Sequence, residues 1–410
     1  MKSAIHLIIS ITLVTAVLAA CQSPQTRRNI ATADSLSEAD PAAAINFIDS
    51  VSPAADGRRA RMKMALLKAK AMNKLMQPID SAKLKDIVDY FTDHGTANEK
   101  MLANYILGCK YFINNKIPQA LQYFQESVAF ADTTSNKCDY KTLHKVHIQM
   151  ARILYIQYMF NDAMKENRQA LEYAIKAKDT LNALITIEQE ANIYSAQEKL
   201  DSSISIREKL CTLYDKYGYP KHSAICHGPL INLYLKKGNI SKAKQSIDIY
   251  EKHSGLFDDK NNIQKGRETF YTMKGFYFIK TNQFDSAKIY LNKSIYNTND
   301  FSTLEFGYKH LAKLYKNIGT IDSIAKYAEL ARIMNDSAYK NLFTLNLQRI
   351  RTIYDFSTIQ QKTIYERDSK IKAIYSGIII CGILISVITG LISILIKKSK
   401  ERKAEKTLYE

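Results

Sequence analysis

The sequence predicts an all-α protein, a solenoid of stacked helix pairs attached to a membrane at both ends. Three observations carry this. Glycine (14) and proline (7) are scarce in 410 residues, while Ala, Lys, Leu, Ile and Tyr recur throughout, the composition of helix after helix with short connections. A pattern of small and aromatic residues returns along the chain from Leu107 to Ile324. An apolar run lies near each end, Ala4 to Leu18 and Ala373 to Ile396. A chain this long exceeds one ordinary globular core, so it grows by adding domains or by repetition, and the returning pattern selects repetition.

Residues 1–20 read as a secretory signal peptide: Lys2, the apolar stretch from Ala4, then small Ala19 and Ala20. The run Leu18-Ala19-Ala20-Cys21 resembles the lipobox of bacterial lipoproteins. That resemblance implies cleavage before Cys21, a diacylglycerol on its thiol and acylation of its new amine. An ordinary signal peptide or uncleaved anchor that happens to hold a cysteine is the plainer alternative. Residues 21–34, rich in Ser, Thr, Gln and Ala, are expected to be a tether. Residues 35–98 are expected to be degenerate N-terminal helical repeats, because Pro41 to Val51, Arg59 to Met76 and Asp80 to His94 keep helical periodicity but only fragments of the pattern, such as Ile79 and Ala82.

The clear array spans residues 99–336. Small residues stand at Gly108, Ala151, Ala191, Gly275 and Ala312, with Ile231 the departure, and three residues later come Tyr111, Leu154, Tyr194, Tyr234, Phe278 and Tyr315. A second helix is entered at Ile117, Phe160, Leu200, Ile240, Phe284 and Ile321, and three residues on stand Ala120, Ala163, Ser203, Ala243, Ala287 and Ile324. This pattern resembles the tetratricopeptide repeat. The resemblance implies six helix pairs in which a Gly or Ala lets two axes approach and an aromatic fills the gap, stabilised by nearest-neighbour interfaces. The entry residues are separated by 43, 40, 40, 44 and 37 positions, more than the usual 34, so helices or turns must be longer than consensus.

After the array, residues 337–372 are expected to form a long juxtamembrane helix, with Ile350, Ser357, Ile364 and Ile371 at heptad spacing but polar residues at half of the seam. Residues 373–396 carry no charge and, at about 1.5 Å per residue, can cross about 30 Å of bilayer as one transmembrane helix. Lys397, Lys398, Lys400, Arg402, Lys403 and Lys406 crowd the basic tail 397–410, against Lys362, Arg367, Lys370 and Lys372 upstream, which places the tail in the cytoplasm. The expected location is the bacterial inner membrane, with the repeats facing the periplasm. The net charge of +18 then serves membrane lipid or acidic partners and no nucleic acid. Gly382, Ser386 and Gly390 lie on one face of the span at a spacing that lets two helices pack, so a homodimer is one expectation and the ordinary abundance of small residues in membrane helices the other.

This order of elements resembles a family of membrane-anchored tetratricopeptide lipoproteins and sensors of gut-type bacteria. Members typically continue in the cytoplasm with a coiled coil and an output module, which this sequence does not show after Glu410. The resemblance implies a protein-interaction scaffold or ligand sensor for a peptide or protein partner outside the cytoplasm. A glycan- or cell-wall-binding lipoprotein is the alternative, weakened by the absence of Trp. No enzyme is expected: a glycine-rich phosphate loop, Gly-x-Ser-x-Gly, His-Glu-x-x-His and Cys-x-x-Cys are all missing. No cofactor is expected.

Binding is expected on the inner face lined by first helices. In the repeat frame that face presents Arg152 and Tyr155, Asn192 and Ser195, Asn232 and Lys236, Phe276 and Lys280, then Lys309, Lys313 and Lys316. Amides can bond an extended peptide backbone and lysines can meet carboxylates, so an acidic or C-terminal peptide is the expected ligand, against the plain alternative of a solvated helix face. His144 and His147 are three apart without a third ligand, so no metal is expected. Cys211 and Cys226 flank the Tyr217 to Lys221 turn symmetrically, which suits either a disulfide or two buried thiols.

Overall fold

The computed structural model describes residues 23–296 and 298–337 and, further on, 370, 373–382, 384, 388–390, 392, 394–396 and 398. It separates into two units, Met1–Ile350 and Arg351–Glu410.

The first unit opens with α1 (Pro24–Ala39), α2 (Pro41–Val51), α3 (Gly57–Lys74) and α4 (Ser81–His94). Most of the stretch expected to be a tether therefore lies in α1. Ser23 caps that helix by accepting from the Thr26 N–H, and Pro24 sits at the helix start, where a missing N–H costs nothing. Ala33 is fully buried with Ile48, Met64 and Leu67. The Thr26 hydroxyl donates to Asp56 Oδ2 at 2.8 Å and pins α1 to the turn before α3. A polar composition hid this helix because one narrow apolar face is enough to dock it.

From α5 onward one unit repeats. The pairs are α5 (Ala97–Ile113) with α6 (Ile117–Phe130), α7 (Tyr140–Ile156) with α8 (Phe160–Lys176), and α9 (Thr180–Ala196) with α10 (Leu200–Lys216). Then follow α11 (Pro220–Lys236) with α12 (Ile240–His253), α13 (Thr269–Lys280) with α14 (Phe284–Tyr296), and α15 (Phe301–Ile318) with helical residues 321–337. Helices α7 to α11 are each 17 residues long, which sets the spacing of 40. The wider spacings come from the connections 131–139 and 254–268. The second is ordered by its own bonds: Phe257 bridges Ile263, Asp258 accepts from the Asn262 N–H at 2.7 Å, and the Ile263 N–H donates to Tyr271 Oη at 2.8 Å.

Packing explains the small positions. A Cβ added to Gly108 would lie 2.6 Å from the Phe124 ring, and one on Gly275 would lie 2.7 Å from Leu291. Where Ile231 breaks the pattern, Gly228 takes over the close approach, since a Cβ there would meet the Tyr250 ring at 2.8 Å. In the second helices Ala120, Ala163, Ser203, Ala243 and Ala287 are fully buried, whereas Ile324 is half-buried.

Every first helix of the array ends alike. Asn115, Tyr158, Glu198, Gly238, Asn282 and Gly319 all take left-handed backbone, with φ of 56°, 60°, 60°, 78°, 57° and 85°. The next N–H in each case reaches back to the carbonyl of the aromatic position, at 2.9 Å from Lys116 to Tyr111, Met159 to Leu154 and Lys199 to Tyr194. This is the Schellman arrangement, which suits glycine and costs other residues roughly 1 kcal/mol or more.

In the second unit the described residues from 373 to 398 are helical, and Ile374, Ile378, Ile379, Ile380, Leu384 and Ile388 are exposed. Among the described residues no helix is long and apolar enough to cross a membrane. The expected span 373–396 includes residues outside that set, Ser386 among them, while Gly382 and Gly390 lie within it. The signal peptide 1–20, Cys21, residues 338–369 of the juxtamembrane helix and all of the basic tail except Lys398 also lie outside the described residues.

Two stability predictions follow from the repeat geometry. Ala243→Leu should lower unfolding stability by about 1–3 kcal/mol in chemical denaturation, whereas Lys236→Ala on an exposed site should change it by less than about 0.5 kcal/mol. Glu198→Gly, at an exposed left-handed residue, should stabilise by about 1 kcal/mol; a loss would show that Glu198 makes a compensating interaction.

Candidate functional site

First helices of successive pairs pack side by side, α3 on α5, α5 on α7, α11 on α13 and α13 on α15. Two cavities lie along the array. One, of about 480 Å³, lies between α3, α5 and α7 and is lined by Lys70, Asn73, Tyr105, Cys109, Phe112, Lys145, Gln149 and Arg152 among others. The other, of about 460 Å³, lies between α7, α8 and α9, where Gln149, Arg152, Tyr155, Asn167 and Gln189 meet Ile148, Ala151, Ile156 and Ile193. Gln149 and Arg152 line both.

The charges at this junction are unevenly matched. Lys70 pairs with Asp34 at 3.1 Å and Glu38 at 3.0 Å, and Lys74 pairs with Glu38 at 3.4 Å. Burial works against the Lys70 ammonium, yet the hydrogen bond and charge of Glu38, with Asp34, outweigh it and raise its pKa. Arg152 enters no ion pair among the described residues; its guanidinium lies 5.4 Å from the Phe112 ring. Tyr105 is buried and within hydrogen-bonding reach of Cys109, Asn73 and Gln149, and burial pushes its hydroxyl well above the usual phenol range. Burial likewise raises the Cys109 thiol to about 11, so it stays protonated at neutral pH. Tyr155 is raised as well, first by burial and then by Tyr158 beside it.

The structure brings together only part of the expected face. Arg152 and Tyr155 share the second cavity. Asn192 is already engaged: its Nδ2 donates to Gln189 Oε1 at 3.1 Å, and its Oδ1 accepts from the Arg207 guanidinium. Arg207 is 1% exposed and also approaches Glu188 at 3.5 Å. Asn232 keeps a buried Oδ1 without a hydrogen-bond partner among the described residues. Further along, the ammoniums of Lys280 and Lys313 stand 5.7 and 4.9 Å from the Phe276 ring centroid, while Lys236 and Lys316 are exposed and Lys309 pairs with Glu305 at 3.3 Å. Burial, followed by the charge of Lys280, lowers the Lys313 pKa.

Gln149, Asn167, Gln189 and Lys145 were missed by sequence reasoning. Asn167 had a readable signal, because the eighth residue of the second helix is Phe124, Ile247 or Leu291 in three other pairs and a short amide here.

Two other clusters are bound internally. His144 Nδ1 lies 3.0 Å from the Ala170 carbonyl and His147 Nδ1 2.6 Å from Glu166 Oε2, and among the described residues no three potential ligands group for a metal. Cys211 and Cys226 are free buried thiols within hydrogen-bonding reach of each other. The bond from Cys226, aided by His227, lowers the Cys211 pKa, and Cys226 is raised in turn.

No family model and no curated protein matches the sequence. Solved structures do match in fold. The apo form of RapI aligns with TM-score 0.58 at 11% identity, covering 83% of this chain and 99% of that one. The apo form of the quorum sensor NprR from B. thuringiensis aligns with TM-score 0.55 at 13% identity, covering 84% of this chain and 98% of that one. A Rap protein complexed with Competence and Sporulation Factor aligns with TM-score 0.50 at 12% identity over 83% and 99%. Together with the helix pairs above, these define the class: a tetratricopeptide-like helical solenoid.

His310 offers a pH-dependent check on the packing at the lysine end of this face. It is wedged between Phe276 and Phe306, each ring centroid 4.4 Å away, with Nδ1 2.8 Å from the Phe306 carbonyl. Burial, reinforced by Lys313 and Lys309, lowers its pKa from 6.5 to about 4. Neutral His310 therefore contributes its full stability above pH 6.5 and loses it as the pH falls towards 4, by about 3 kcal/mol at most. Denaturant unfolding at pH 7 and pH 4.5 should show a drop that His310→Leu reduces; equal drops in both proteins would place His310 in water.

Proposed function

We propose that the protein is a membrane-tethered, non-catalytic scaffold that holds an extended peptide segment of a partner across its first-helix face outside the cytoplasm. The observation that carries this is Arg152, a guanidinium in no ion pair among the described residues, at the junction of two cavities whose linings include amides and aromatics. Such a fork suits a partner's carboxylate, and the lysines at the Phe276 end suit further acidic residues as point charges. The peptide is thus acidic or ends in a carboxylate. The fold shared with a Rap protein complexed with Competence and Sporulation Factor supports a binding role.

The tether rests on Leu18-Ala19-Ala20-Cys21, on the charge-free run 373–396 and on the basic residues beyond it. The exposed Ile374, Ile378, Ile379 and Ile380 support it further, since so much apolar surface calls for lipid or a partner helix. In this reading Cys21 carries lipid, the repeats face the periplasm, and Gly382, Ser386 and Gly390 offer a face for dimerisation within the bilayer.

Two measurements test the reading. Mass spectrometry of the mature N-terminus should find acylated Cys21, and a mature chain beginning at an unmodified Met1 would remove the lipid anchor. A photo-crosslinking residue at Tyr155 in living cells should trap a peptide or protein, with the adduct lost on adding Arg152→Glu and absent from the same probe at Gln245 on α12. Equal labelling at Tyr155 and Gln245 would leave the face without a binding role.

A further inference from the structure

We infer that Cys211, Cys226 and His227 form an oxidation site: a small hydroperoxide oxidises Cys211 first, and Cys226 then closes a disulfide that ties α10 to α11. This goes beyond the scaffold reading and needs neither the tether nor the peptide.

The site begins with the register of two helices. Two contacts one turn apart set α11 on α10: Ser223 Oγ lies 3.1 Å from the Cys211 carbonyl, and Cys226 Sγ lies 3.7 Å from the Arg207 carbonyl. A turn of α11 thus meets a turn of α10, and the two thiols come within hydrogen-bonding reach of each other. His227, next in the chain, also reaches Cys211, and its Nδ1 stands 3.3 Å from Ser246 Oγ on α12. Three helices therefore bring two thiols and an imidazole together.

The two sulfurs are not equivalent. Cys211 is 8% exposed and Cys226 is fully enclosed, so an oxidant from solvent meets Cys211 first, and only a small one fits. The bond from Cys226 outweighs burial and, with His227, lowers the Cys211 pKa, which favours the attacking thiolate. Cys226 is raised, first by its bond to Cys211 and then by burial, so it waits as a thiol. In the first step the Cys211 sulfur attacks one peroxide oxygen and the O–O bond breaks. The thiol proton, held by His227, leaves with the departing oxygen as water or an alcohol. Cys211 is now a neutral sulfenic acid, and the charge that helped keep Cys226 protonated is gone. In the second step the Cys226 sulfur attacks the Cys211 sulfur, the S–O bond breaks, and water leaves with the Cys226 proton. Two electrons pass from the sulfurs to the peroxide, and a dithiol reductant returns them. The bond joins the second helix of the third pair to the first helix of the fourth, a boundary between neighbouring repeats.

The test treats the reduced full chain, solubilised in detergent, with limiting hydrogen peroxide. Remaining thiols are then blocked with N-ethylmaleimide under denaturing conditions, and the chain is cut with trypsin after Lys209, Lys216, Lys221 and Lys236. Mass spectrometry should find residues 210–216 joined to 222–236, two hydrogens lighter than the separate peptides, with the link lost on adding dithiothreitol. It should form at least about tenfold faster than Cys109 or Cys138 is oxidised. Cys226→Ala should stop at a sulfenic acid on Cys211 that dimedone traps, and Cys211→Ala should leave Cys226 unreacted at the same dose. His227→Gln should slow the link at least about tenfold at pH 7 and recover the unaltered rate at pH 9, where a merely structural role would leave it slow. Cys211 passing to sulfinic or sulfonic acid with no link, Cys109 or Cys138 oxidised as fast, or folded His227→Gln linking at the unaltered rate at pH 7 would each overturn the inference. Where a variant fails to fold, the peptide map of the unaltered chain decides alone.

Discussion

Two helix axes approach closely where one of them offers a small residue, and the array supplies a Gly or Ala once per pair. At Gly108 and Gly275 the space of the missing Cβ is filled by Phe124 and Leu291 from the second helix. Seven residues after each small position the chain turns left-handed, and the following N–H closes on the carbonyl of the aromatic position. Packing and turn are thus held in one register. The rings then stack within a pair, Tyr111 on Tyr123 at 5.3 Å, Phe278 on Tyr290 at 5.5 Å and Tyr315 on Tyr327 at 5.3 Å. The direction in which the second helix leaves the turn is thus held alike from pair to pair.

That regularity makes the exceptions informative. Ile231 fills the small position, and the close approach moves one turn back to Gly228, so the helix tolerates a shift of the contact but not its loss. Asn167 and Arg207 stand where other second helices carry Phe124, Ile247 or Leu291, and both are about as buried as those residues. An apolar residue would pack there at lower cost, because buried polar groups must be matched. The two terminal guanidinium nitrogens of Arg207 meet Asn192 and Glu188, while its Nε has no partner among the described residues, and the result is internal: an amide that looks available in sequence is held from behind. Asn167 is matched on its nitrogen alone, and its oxygen is buried without a hydrogen-bond partner among the described residues.

The fold was legible because its determinants are local. Small and aromatic positions at fixed spacing specify helix pairs without knowledge of the partner helix, and the left-handed turns fall in the same frame. The site was only half legible. Arg152 and Tyr155 could be placed by counting along a helix, but the engagement of Asn192 depends on a side chain fifteen positions away in another helix. The tether was misread for a related reason: composition reports how polar a segment is, whereas docking of α1 depends on Ala33 and its neighbours falling on one side. Asn167 was readable within the frame, as a polar residue in an apolar column.

The two cationic regions of the first-helix face differ in how they can hold an anion. Lys280 and Lys313 are exposed point charges sharing one ring, and their mutual repulsion contributes to the lowered Lys313 pKa. A carboxylate docking there relieves that repulsion, but in water and salt the gain is screened over about 10 Å and holds no particular geometry. Arg152 offers a planar fork at the mouth of two cavities, where apolar walls exclude part of the solvent and neighbouring amides fix direction. Attraction at the lysines is thus long-ranged and unselective, whereas pairing at Arg152 is short-ranged and geometric. An anion held at the lysines would therefore lose more to added salt than one held in the Arg152 fork.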